Sequence, residues 1–200
     1  MDPVTTPAAP ARRRFALRMV QLVATPLLVF AEARAQSSVL PGATSGEAQI
    51  KAAFICKFGN YIEWPTRDKK PVDGAFVIGA VTNDKVVDEL TRAASGQTVN
   101  GRPITVRKLA KGDPLDDLAI VYVAHGHPGE LAEVLASVRG RPILTITESD
   151  EASRSGSMVN FVVVDDRVRF DIALQPAEQS SLKISGRLLA LARKVTGAPS

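Results

Sequence analysis

Apolar residues recur at helical spacing from Ile50 through Ala53, Phe54 and Phe58 to Tyr61, and predict a helix that Trp64-Pro65 closes. Phe76 to Val81 is a short apolar run bounded by Gly74 and Asn83-Asp84, as a buried strand would be. Asn83 or Asp84 can cap a second helix whose inner face is Val86, Leu90, Ala93 and Ala94. Ile104 to Leu109 nearly alternates and reads as a strand, and Ala119 to Ala124 is continuously apolar, as an interior parallel strand is. Pro128 suits the first turn of a third helix carrying Leu131, Val134, Leu135 and Val138 on one face. Ile143 to Ile146 is another strand. Gly101-Arg102-Pro103-Ile104 and Gly140-Arg141-Pro142-Ile143 each lead into a strand, so two β–α–β passages are expected side by side.

The pattern then changes. Met158 to Val164 and Val168 to Leu174, separated by Asp165-Asp166, predict an antiparallel hairpin. Val168, Phe170, Ile172 and Leu174 alternate with Arg167, Arg169, Asp171 and Ala173, giving one apolar and one largely charged face. A last helix is expected from about Pro176 to Lys194, with Ile184, Leu188, Leu191 and Val195 as its stripe. The fold class is α/β: a single domain over 47–196 with a mixed β-sheet flanked by helices on both faces, a late antiparallel hairpin and a C-terminal helix.

Ahead of this domain the sequence reads as an address. Arg12 to Arg14 and Arg18 form a positive region, and Met19 to Phe30 is apolar but shorter than the roughly 20 residues a spanning helix needs. Ala33-Arg34-Ala35 then offers a cleavage site before Gln36, so residues 1–35 are expected to be a secretory signal peptide. The arginine cluster leaves both the general and the twin-arginine export routes open. Residues 36–46, mostly Ser, Gly, Pro and Ala, read as a flexible tether. The mature chain is expected in the periplasm.

Charge follows from the same division. The net +4 invites a nucleic-acid reading, but the leader holds five arginines against two acids. The remaining 165 residues are nearly neutral, so no nucleic-acid partner is expected. With one cysteine there is no internal disulfide. Cys56 is either a small buried hydrophobe among Phe54, Ile55 and Phe58, the favoured reading, or a link between two chains.

Catalytic chemistry is thin. His125-Gly126-His127, with Glu130 and Glu133 nearby, is the one candidate for a metal and for a metal-dependent hydrolase; its spacing matches no known site and a polar loop is favoured. No phosphate cradle or nucleophile elbow is present, and the aspartate pairs sit at turns. The chain is expected not to be an enzyme and to carry no cofactor. Lys57 falls among the apolar positions of the first helix, where it either packs its stem and lifts its ammonium to the rim or meets an anionic ligand beside Tyr61 and Trp64.

Ile50-Lys51-Ala52-Ala53-Phe54-Ile55-Cys56-Lys57-Phe58 followed by Tyr61-Ile62-Glu63-Trp64-Pro65 resembles the opening motif of the YfiR-like periplasmic proteins. Gly101 to Ile104, Ile143 to Thr147, Gly156 to Phe161, Arg169 to Ile172 and the Leu182 to Ala192 segment continue the likeness in order, over about 48–194. The resemblance implies a dimeric periplasmic regulator that binds and represses the sensory domain of an inner-membrane diguanylate cyclase, lowering cyclic-di-GMP and biofilm formation, with an outer-membrane protein as a further partner. It implies alternatively a small-molecule sensor module serving a histidine kinase. It places a ligand site at the Trp-Pro corner and the last helix: here Glu63, Trp64, Lys183 and Ser185, to which Lys57 and Tyr61 are added. Glu63 and Ser185 depart from the family pattern, and Ser153 and Asn160 stand where it has disulfide cysteines, so redox control through that bond is not available. For the partner, Arg169, Phe170, Ile172 and Leu174 on the hairpin are the candidates: their apolar members form either an exposed docking surface or core.

Overall fold

The computed structural model describes residues 45–65, 74–149 and 156–197, within one compact unit over Pro41–Ser200. The expected signal peptide, nearly all of the expected tether and Ser153 lie outside the described residues. In chain order the elements are α1 (Ser45–Phe58), a 3-10 turn (Gly59–Tyr61), β1 (Ile62–Glu63), β2 (Phe76–Val81), α2 (Asp84–Ala94), β3 (Thr98–Val99), β4 (Arg102–Lys108) and β5 (Leu118–Val123). They continue with α3 (Pro128–Val138), β6 (Leu144–Thr147), β7 (Val159–Val164), β8 (Arg167–Ala173), α4 (Leu174–Gln179), β9 (Lys183–Ile184), α5 (Gly186–Leu189) and β10 (Lys194–Thr196).

The main sheet runs β10-β8-β7-β6-β5-β2-β4-β3, and a two-stranded antiparallel sheet joins β1 to β9. Strands β4, β2, β5, β6 and β7 are parallel, β8 is antiparallel to β7, and β3 is antiparallel to β4. Every residue of β5 is buried, which is why its sequence is continuously apolar rather than alternating. One face of the sheet carries Ile78, Ile120, Leu144 and Phe170 against α1 and α2, through Ile55, Phe58 and Leu90. The other carries Val121 and Val123 against Leu131, Leu135 and Val138 of α3. The α/β class with helices on both faces, and the two β–α–β passages, are as expected. Asn83 is the cap of α2, its side chain accepting from Val86 N. The hairpin turns at Asp165-Asp166, both at positive φ as a two-residue turn of this kind requires.

Three expectations are corrected. The first helix is rotated from the expected orientation: Ala48, Lys51, Ala52, Ile55, Cys56 and Phe58 are buried and Phe54 packs against the core, whereas Ile50 is 49% exposed and Lys57 is exposed. The segment is apolar around much of its circumference, so periodicity alone admitted two faces. The helix also ends at Phe58, before Trp64-Pro65, because Gly59 must pass against β3; a Cβ there would fall 2.6 Å from Val99 Cγ2.

The segment expected as one helix over 176–194 is instead divided. α4 stops at Ser180-Ser181, with Ser181 at φ 57°, and the chain enters β9, α5 and then β10. Leu191 and Val195, expected on the buried stripe, are 62% and 40% exposed. Serine and glycine interrupt the helical pattern, and the open edge of β8 recruits β10 in parallel register, Val195 opposite Ile172.

Candidate functional site

The Trp-Pro corner is assembled by β-pairing between the two ends of the domain. β1 lies against β9 with Ile62 opposite Ile184 and Glu63 opposite Lys183, and Ser185 N donates to Tyr61 O at 2.9 Å. Ser185 also accepts from Leu188 N through its side chain and so caps α5. The Trp64 ring meets Phe76 edge-on at 5.3 Å, and the Arg102 guanidinium sits 5.7 Å from the centre of the same Phe76 ring. Arg102 is held there by the carbonyls of Ala75 (2.6 Å) and Gly74 (3.2 Å). The Trp64 indole N–H is buried and has no hydrogen-bond partner among the described residues. Tyr61, Glu63, Trp64, Lys183 and Ser185 are therefore brought together. Lys57 is not on the buried face where the periodicity placed it.

The lysine that the helix does bury is Lys51, 5% exposed. Its ammonium lies 2.5 Å from Glu47 Oε1 and 3.0 Å from Glu148 Oε2. Glu148 follows β6 and takes a second bond from the Tyr122 hydroxyl of β5, while His125 Nδ1 lies 3.2 Å from its carbonyl. Burial first, then the negative charge and hydrogen bond of Glu148, push the Tyr122 phenol up, so it remains a donor. Sequence reasoning passed over this cluster. Its legible half is the Glu47/Lys51 spacing of one helical turn; its other half depends on sheet order.

Cys56 is a free, buried thiol, as favoured, and burial pushes its pKa up to about 11. Asn160 holds the β6–β7 junction by hydrogen bonds: its Oδ1 accepts from Thr147 Oγ1 at 2.9 Å and from Ser149 N at 3.0 Å.

Phe170, Ile172 and Leu174 are buried and belong to the core. Phe170 meets Phe54, Phe58 and Phe161 with ring centres 5.6, 5.1 and 6.5 Å apart. These three apolar residues cannot form a docking surface in this fold, because α1 covers that face. Arg169 stands on the opposite, exposed face. His127 lies 3.8 Å from Glu130, and among the described residues no three His, Cys, Asp or Glu side chains converge to hold a metal. No described helix is long and apolar enough to cross a membrane.

Among curated proteins, no sequence matches this chain. The YfiR/HmsC-like family pattern matches residues 48–193, from the first turn of α1 to the residue before β10, and takes in the corner and the Lys51–Glu148 pair. The chain belongs to the YfiR/HmsC-like family.

Proposed function

We propose that this protein is a periplasmic regulator that represses an inner-membrane diguanylate cyclase by binding its sensory domain. Family membership over residues 48–193 is the observation that carries the reading. The exposed side of the hairpin supplies a surface of suitable character: Arg167 and Arg169 project from it, and Val163 and Val164 are exposed near its turn. This is the face assigned to the partner, in place of Phe170, Ile172 and Leu174. The decisive measurement is cellular cyclic-di-GMP in a strain lacking the gene and in the same strain complemented. A rise on deletion, reversed by the exported chain but not by one lacking residues 1–35, is the expected result. No change would overturn the cyclase reading. Arg169→Glu is expected to abolish co-purification with the sensor while leaving the fold intact.

A second reading is favoured by the unpartnered indole N–H of Trp64: the corner binds a small molecule that accepts this hydrogen bond and biases the protein between free and partner-bound states. The homodimer and the outer-membrane partner belong to the same proposal. Titration of Trp64 fluorescence with candidate ligands tests the corner; in Trp64→Phe, which lacks the fluorophore, calorimetric titration with the same ligands should show weakened binding to a protein that remains folded.

A further inference from the structure

The Trp-Pro corner lies at the start of β2, where Trp64 meets Phe76; a second recess lies at the other end of that strand. From β2 the chain passes by α2 to β4 on one side, and then returns to β5 on the other, from which α3 leads on to β6. Ligands of open α/β sheets bind at the carboxyl ends of the strands at such a change of direction. The return from β4 to β5, residues 109–117, contains no helix. It lies directly on β2: a Cβ on Gly79 would fall 2.7 Å from Leu109 Cδ1. A loop fills less volume than a helix. Between this loop, the end of β2 and the flank of α3 there remains a cavity of about 690 Å³, within the range of small-molecule sites.

Its floor is apolar, formed by Val81, Leu109, Leu115 and Val134. Its charges do not balance. Each lysine and arginine of the lining is matched by one carboxylate: Lys108 by Asp84 at 2.6 Å, Lys111 by Glu133 at 3.2 Å and Arg141 by Asp116 at 2.8 Å. Two further carboxylates of the lining, Asp113 and Glu130, have no lysine or arginine partner among the described residues. Asp113 accepts from Ala110 N at 2.9 Å, and Glu130 has the His127 ring at 3.8 Å. The first comes from the β4–β5 return and the second from the first turn of α3, so the two walls of the recess each contribute one. The unmatched charge of the cavity is therefore negative. An organic anion would meet only cations already neutralised. An organic cation would meet two carboxylates beside an apolar floor, where partial exclusion of water strengthens the attraction.

We propose that this cavity binds a small amphipathic amine, with its ammonium group at Asp113 and Glu130 and its apolar body against Val81, Leu109, Leu115 and Val134. The site is separate from the Trp-Pro corner and from the hairpin, so its failure would leave the regulatory reading standing.

The test is titration of the isotope-labelled full chain with hexylammonium and with its uncharged and anionic matches, hexan-1-ol and hexanoate, followed by amide chemical shifts. Saturable hexylammonium binding with Kd below about 1 mM is expected, with shifts centred on Val81, Leu109 and Val134. Hexan-1-ol should bind at least about fivefold more weakly, since the charge-assisted bonds are missing, and hexanoate more weakly still. Asp113→Asn with Glu130→Gln keeps the shape of both side chains and an acceptor for Ala110 N. This double variant should weaken hexylammonium about tenfold and leave hexan-1-ol unchanged. Ser137→Trp, from the exposed flank of α3, should block both probes while the amide spectrum of the free protein stays that of a folded chain. Binding of hexan-1-ol or hexanoate as tight as that of hexylammonium, an unaltered affinity in the double variant, shifts confined to Tyr61, Trp64 and Ile184, or no saturation by 10 mM (about ten times the expected Kd) would overturn the proposal.

Discussion

Lys51 of the first helix and Glu148 at the end of β6 meet at 3.0 Å with side chains only 7% and 11% exposed. Pairs of this kind do not necessarily add stability over an apolar replacement, but breaking one strands a charge. Lys51→Met should therefore cost about 3 kcal/mol, read as a lower urea midpoint. Lys57→Met, one and a half turns away and exposed, should stay within about 0.5 kcal/mol. A larger loss for Lys57→Met would mean that the helix is turned as its periodicity first suggested.

Cys56 ties stability to alkaline pH. In the unfolded chain its thiol ionises near 9.0, whereas burial holds it protonated to about 11 in the fold. The folded state thus binds the extra proton between these values, and unfolding stability falls as pH rises through that window. Below pH 9 the contribution is constant. The expected observation is a decline in melting temperature from pH 9 to 11 that is shallower in Cys56→Ala. Reaction with a disulfide reagent at pH 8 should be slow until urea unfolds the chain.

Asn160 joins β7 to the end of β6 without a covalent bond. Asn160→Ala removes one acceptor from Ser149 N and one from the Thr147 hydroxyl, which keeps Ser157 Oγ and Val159 O within reach, and should cost about 1 kcal/mol. Thermal denaturation under reducing and oxidising conditions should give the same loss, because no thiol takes part.

Arg193 clamps the last strand: its guanidinium donates to both carboxylate oxygens of Asp171, at 2.8 and 2.5 Å, and its backbone N–H donates to Phe170 O at 2.8 Å. Arg193→Met should raise hydrogen exchange at Val195 and Thr196 selectively. Exchange across β5 should not change, since that strand is buried at the sheet centre.

Gly59→Ala should destabilise by about 1–3 kcal/mol through overpacking, because Val99 is β-branched and buried and cannot swing its Cγ2 away from a Cβ 2.6 Å off. A neutral result in a urea titration would mean that α1 and β3 are less closely packed than described.

Local pattern determined a good deal of this protein. Continuous apolar runs marked β2 and β5 because both faces of those strands are covered. Asn83 and Pro128 marked the starts of α2 and α3 because capping and fixed φ are properties of one or two residues. Asp165-Asp166 marked the hairpin turn for the same reason. The motifs around Trp64 and Lys183 also pointed to one corner, through family resemblance. What the tertiary structure decided were the choices local chemistry leaves balanced. An apolar helix offered two faces, and the carboxylate of Glu148, delivered by sheet order, selected the one bearing Lys51. The stripe from Ile184 to Val195 fitted a helix, but the unpaired edge of β8 turned its end into a strand. Phe170 and Ile172 could face a partner or a core, and the packing of Phe54 and Phe58 made them core. The cavity over β2 was invisible to pattern altogether, because it arises from a helix that the β4–β5 return does not have.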